Sequence, residues 1–272
     1  MTSTAGGSGL KRKKIEEVSV GPEHIISRLK AIRDPRMRVL ALVVALGEGE
    51  PIAWVEGLAA LIARAHVIDD ADAVLAVQCL THATADPSLP YETRKQLYEA
   101  ATERGLPAIA RLFLSVSPVA PLPAQLKKQL AAERPLKPAG RPLTLGERKS
   151  LARTHDRQQI LLMLRDPHPA VVAVLLDNPH VTESDVVKIA ATRPAVPASL
   201  ARLAAHPRWS VRHAVKRALV LNPSTPLADA IRIVTTLRTS ELGEIANDPS
   251  LPEPLRAHAA EVRLSSLRRP QA

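Results

Sequence analysis

Asn178-Pro179-His180-Val181 runs into Val186, Val187 and Ile189, and this short stretch decides how the chain is read. Proline lacks an N–H and pushes the residue before it out of the α region, so a helix ends there. Asn, Asp, Ser or Thr beside it caps the helix that follows. The same order, a Pro followed within a few residues by an apolar helix, recurs three times. Arg193-Pro194-Ala195-Val196-Pro197 leads to Leu200 and Leu203. Asn222-Pro223-Ser224-Thr225-Pro226 leads to Ile231, Ile233 and Val234. Asp248-Pro249-Ser250-Leu251-Pro252 leads to Leu255. Such short helices are unstable alone and must stack on neighbours.

Working outward, two further segments resemble each other. Asp166-Pro167-His168-Pro169-Ala170-Val171-Val172 precedes one helix, and His206-Pro207-Arg208-Trp209-Ser210-Val211-Arg212 precedes another, 40 residues on. Asn178-Pro179 and Asn222-Pro223 lie 44 residues apart. The first half echoes the pattern once, in Asp86-Pro87-Ser88-Leu89-Pro90. The expected product is a curved helical array.

On these residues the segment from about 160 to 265 resembles the HEAT-like α-solenoids, in particular the leucine-rich-repeat-variant type. The matching positions are Asn178, Pro179 and Val181; Asn222, Pro223, Thr225 and Pro226; and the turns Asp166-Pro167 and Asp248-Pro249. The resemblance implies a protein-binding scaffold, with nucleic acid as a less common partner. Some members of that type hold an iron–sulfur cluster on an added cysteine group. Cys79 is the only cysteine here, so that property does not carry over.

The first half reads as a bundle of about six helices. Pro22 can start one whose face carries Ile25, Ile26, Leu29 and Ile32. Pro35 opens a second with Val39, Leu40, Leu42, Val43 and Leu46, which Gly47 and Gly49 stop. A third spans Pro51 to about Val67, Asp69-Asp70 caps a fourth, and two more follow at about 91–104 and 106–116. The expected organisation is all-α: a disordered basic tail over 1–20, a helical domain over 21–116, a Pro-rich basic linker over 117–145 and a helical repeat domain over 146–267.

Composition narrows the function. Aromatic residues make up 2% of the chain, so the core must be Leu, Val, Ile and Ala, and base-stacking platforms are not expected. One cysteine excludes an intrachain disulfide and suggests a reducing compartment. No apolar run approaches the roughly 20 residues of a membrane span. Lys11-Arg12-Lys13-Lys14 is followed by Ile15-Glu16-Glu17, not by the apolar stretch of a signal peptide. A cytoplasmic protein is expected, and the Ala, Leu, Arg and Pro content suggests a GC-rich bacterial source. The net charge of +10 is uneven: residues 1–115 carry 14 basic and 14 acidic side chains, and the excess falls beyond them. That asymmetry suggests an anionic partner, against the plainer reading of a charged surface kept for solubility.

Catalytic motifs are missing. There is no G-x-x-x-x-G-K-[ST], no G-x-S-x-G and no H-E-x-x-H, and the nine His are scattered. Thr154-His155-Asp156 reads as a helix cap rather than part of a triad. We therefore expect no enzyme, no cofactor and no metal. The candidate partner-binding patch is Arg208, Trp209, Arg212, Lys216 and Arg217, extended by Arg193 and Arg202 if stacked helices align, with His213 between them. In a helix starting at Ser210, Val211, Val215 and Leu219 would face the core, while Arg212 and Lys216, at i and i+4, would share an outer face. The competing reading is a solvated helix face with Trp209 packed at the helix start. Lys11, Arg12, Lys13 and Lys14 form a second candidate, against a solubilising tail. Three functions follow, in this order: a protein-interaction adaptor or regulator whose partner has an acidic surface; a nonspecific nucleic-acid binder; and a HEAT-like DNA glycosylase, for which the aromatics around an extruded base are lacking.

Overall fold

The computed structural model of the chain describes residues 20–66, 70–114 and 142–267. The basic tail with Lys11, Arg12, Lys13 and Lys14, and most of the stretch expected as a linker, lie outside the described residues. The chain is all-helical, with fifteen α-helices among the described residues. In the first half these are α1 (Pro22–Lys30), α2 (Pro35–Glu48), α3 (Pro51–Ala65), α4 (Ala71–Ala85), α5 (Tyr91–Glu103) and α6 (Pro107–Phe113). After the undescribed stretch come α7 (Leu145–Ala152), α8 (Arg157–Met163), α9 (Pro169–Asp177), α10 (Glu183–Ala191) and α11 (Pro197–Ala204). The last four are α12 (His213–Val220), α13 (Leu227–Val234), α14 (Thr239–Asn247) and α15 (Glu253–Leu267).

The helix starts follow from local chemistry. Pro stands in the first turn of α1, α2, α3, α6, α9 and α11, where its missing N–H has no partner to lose. Side chains of Asp34, Asp70, Thr144, Asp156 and Thr182 accept the free N–H groups of the turns they precede. The turns between helices reuse one device. Asp86, Asp166, Asn178, Asn222 and Asp248 each precede a Pro, and each side-chain oxygen accepts the N–H two residues on at 2.8–3.0 Å. His206, also before a Pro, does the same through Nδ1 at 3.3 Å to Arg208 N–H.

Beyond α6, helices pack on the next but one. α7 lies on α9, α9 on α11, α11 on α13 and α13 on α15, while α10 lies on α12. The buried apolar side chains form two groups. One joins Ala152 through Leu219 and includes Ile160, Met163, Val171, Leu175, Val186 and Trp209. The other holds the interior of α1–α6 together with Val220, Ile231, Val234, Leu242, Ile245, Leu255 and Val262. α15 packs on α3 and α6, and α13 on α6. Arg111 on α6 and Glu261 on α15 pair across that contact with two hydrogen bonds. Each buried Leu, Ile or Val contributes about 1.5–3 kcal/mol, so this apolar seam outweighs the ion pair in joining α13 and α15 to the first six helices.

One local expectation is corrected. The helix expected from Ser210 begins at His213, with Arg212 in extended backbone before it. Trp209 and Ser210 donate their N–H groups to the His206 carbonyl, and Arg212 donates to that of Trp209, so these residues form a separate turn. Val211, expected in the core, is 46% exposed.

Candidate functional site

A cavity lies where the two halves of the chain face each other among the described residues. Its volume is about 650 Å³, within the range of ligand sites. One wall comes from the start of α2 and from along α4: Pro35, Arg36, Arg38, Val39, Leu40, Leu75, Cys79 and His82. The other comes from the end of α11, the turn at Pro207–Val211, and the faces of α12 and α13 that bear Lys216, Asp229, Arg232 and Ile233. Its surface is mostly apolar, interrupted by a few cations. The Asp34 cap and Pro35 set where α2 starts, and His206-Pro207 sets where α11 ends, so the same turn chemistry that stacks the helices shapes both rims.

Lys216 is the side chain that defines the interior. It lines the cleft but is 7% exposed, because the neighbouring positions Val215 and Leu219 hold α12 tightly in the core. Burial pulls its ammonium down to about 8. It has no carboxylate partner among the described residues. Arg232 beside it is partly neutralised by Asp229, three residues before it. His82 on the opposite wall is held below its ordinary range, first by burial and then by the charges of Lys216 and Arg232. Ser210 adds a buried hydroxyl without a hydrogen-bond partner. Asp86 also lines the cleft, but one of its oxygens is taken by the Ser88 N–H and hydroxyl. Cys79 is buried in the wall with its thiol pushed up by burial, so it stays protonated.

At the rim the apolar surface continues outward. Met37, Leu40 and Val44, at helical spacing on α2, are 54%, 41% and 54% exposed. Val211 stands exposed on the facing rim. The three large apolar residues on α2 lie along one of its faces, and Leu40 among them also lines the cleft.

The residues named from sequence do not form one patch. Trp209 is a core residue: it is 2% exposed, and its indole N–H donates to the Leu176 carbonyl at 2.8 Å. Its expected place on the binding surface is corrected; the Arg208 guanidinium covers its ring at 4.2 Å instead. Lys216 and Arg212 were expected on one outer face, but Arg212 is exposed before the helix and Lys216 faces the cleft. Arg217 is spent on Glu241 and Glu244, at 3.4 and 2.7 Å. Arg193 donates to the Leu221 carbonyl. Arg202, Arg208 and Arg212 remain exposed, with no acidic partner among the described residues. The cleft itself was not foreseen, since the residues of its two walls are more than 100 positions apart in sequence.

No group of three or more His, Cys, Asp or Glu side chains among the described residues is placed to hold a metal ion. No described helix is long and apolar enough to cross a membrane. Compared with known families, curated proteins and solved structures, the chain shows no significant match.

Proposed function

We propose that this protein is a non-enzymatic adaptor or regulator, built on a HEAT-like helical repeat, that takes an acidic amphipathic segment of a cytoplasmic protein partner into the cleft. The observation that carries this reading is the cleft's composition: an apolar rim running onto α2 through Met37, Leu40 and Val44, above an interior cation, Lys216. An amphipathic helix with an acidic position would cover the stripe and answer the charge. The repeat architecture is supported by the recurrent Asx-Pro turns and by the packing of alternate helices in the second half.

A photo-crosslinking residue at Val44 tests it, with the same residue at Lys188 as control. The expected product is a protein crosslink specific to Val44 that Lys216→Glu reduces at least tenfold. Equal labelling at both positions, or capture of nucleic acid alone, would overturn the reading.

A second reading, nucleic-acid binding, is supported by Arg202, Arg208 and Arg212, which are exposed and have no acidic partner among the described residues. It predicts duplex affinity that falls steeply between about 50 and 200 mM salt. The reversal of all three charges to Glu should abolish that binding.

A further inference from the structure

The interior of the cleft holds further donor groups around Lys216 that the protein-partner reading leaves without a role. Lys216 is buried in the lining of the cleft and forms no ion pair among the described residues; of the two carboxylates that share the lining, Asp229 is engaged by Arg232 and Asp86 accepts from Ser88. A buried lysine ordinarily finds a partner, because desolvating an ammonium without one is costly. The Ser210 hydroxyl is buried and hydrogen-bonds to nothing among the described residues, which is also uncommon. Both line the same cavity. A third donor group, the Arg232 guanidinium, lines it too, with one nitrogen engaged by Asp229. The neutral imidazole of His82 faces them and can donate one hydrogen bond. Leu40, Leu75, Val39 and Ile233 supply apolar wall.

We infer that the cleft binds a small organic anion, a carboxylate or phosphate monoester on an apolar body, with its head on Lys216, Ser210 and Arg232. Each orphaned group is answered by one part of such a ligand. The anion supplies the missing countercharge to Lys216 and accepts a hydrogen bond from the Ser210 hydroxyl. The apolar body fills the space between α2, α4 and α13, which water would fill less favourably. The cavity's volume of about 650 Å³ accommodates a ligand of that size. Lys216 holds a depressed ammonium at neutral pH, so an anion relieves an existing electrostatic cost rather than forming an ordinary surface pair. The inference rests on the reading of this cleft as the protein's binding surface.

Thermal unfolding of the full-length protein tests it with five probes: decanoate, decyl phosphate and the neutral decanol, each in the monomeric range, and acetate and inorganic phosphate as tail-free heads. The comparison chains are Lys216→Met, which keeps length and loses charge, and Ser210→Ala. Decanoate or decyl phosphate at tenfold excess over its Kd is expected to raise the wild-type Tm by about 3 °C or more. The shift should vanish in Lys216→Met, whose own unfolding confirms its fold, and shrink in Ser210→Ala. A decanol shift equal to that of decanoate, or a Lys216→Met response equal to wild type, would remove the role of the charge. Tail-free heads acting as strongly as the tailed ligands would remove the apolar body. No shift with any probe overturns the site. A decanoate shift without any protein crosslink at Val44 would leave this site standing while the adaptor reading fell.

Discussion

Asn178 and Asn222, 44 positions apart, make the same three hydrogen bonds. Each side-chain oxygen accepts the N–H two residues on, from His180 at 2.9 Å and from Ser224 at 3.0 Å. Each Nδ2 donates to two carbonyls at the end of an earlier helix: Ala152 and Thr154 for Asn178, Ala190 and Thr192 for Asn222. One residue thus shapes its own turn and ties off another helix, which is why an amide with two donors and an acceptor stands at both positions.

Replacing Asn222 with Ala should therefore destabilise the protein by about 2–3 kcal/mol, since it strips partners from carbonyls at a buried helix end. Asn222→Asp should cost about as much, because it keeps the acceptor and loses the donor. Urea unfolding followed by circular dichroism reads both, and an unchanged midpoint in either variant would refute the account.

A buried ion pair anchors the start of the second half. Arg148, 5% exposed, donates to both oxygens of Asp166 at 2.8 Å, while Asp166 also accepts the His168 N–H. Arg148→Met leaves a buried carboxylate without its countercharge and should cost about 3–5 kcal/mol. A loss below about 1 kcal/mol in chemical denaturation would show that water or relaxation replaces the pair.

His258 makes stability pH-dependent. The Thr235 hydroxyl donates to the Ile231 carbonyl at 3.0 Å, so at 2.9 Å it accepts from His258 Nε2–H, an assignment made from the network. Nδ1 is buried without a partner. Burial, with a smaller contribution from the Arg111 charge, lowers the imidazole to about 3 from its ordinary 6.5. A depressed folded value means that the neutral form is the stable one in the fold. Stability is complete above pH 6.5 and is lost as pH falls from there towards 3. By about pH 4 the loss from this group should reach about 3 kcal/mol. His258→Leu should flatten the stability profile over that window; an unchanged acid profile would exclude His258 as its source.

Trp209 offers the clearest separation of packing from hydrogen bonding. Trp209→Phe keeps most of the buried ring and loses the bond to the Leu176 carbonyl, for about 1–2 kcal/mol. Trp209→Ala opens a cavity as well and should cost about 3–5 kcal/mol. Comparable losses in the two variants, measured by thermal or urea unfolding, would contradict the packing role.

The legible part of this protein lay in its turns. Pro at a helix start, Asp or Asn before Pro, and apolar spacing act over fewer than ten residues, so Asn178-Pro179, Asn222-Pro223 and Asp248-Pro249 were readable as joints and the all-helical fold with them. The six helices of the first half were legible for the same reason. Side-chain destination was not. Trp209, flanked by Arg208 and Ser210, reads either as part of a binding surface or as packed at a helix start, and the choice is made only when Leu176 on α9 is brought beside it. Lys216, at helical spacing from Arg212, reads as solvated until α2 and α4 stand across from it. Arg217 reads as a free cation until α14 brings Glu241 and Glu244 within reach. Local backbone preference is a short-range property, carried by a few adjacent residues. Whether a side chain meets core, countercharge or cleft depends on surfaces many positions away in the chain, and only the packed structure brings those surfaces together.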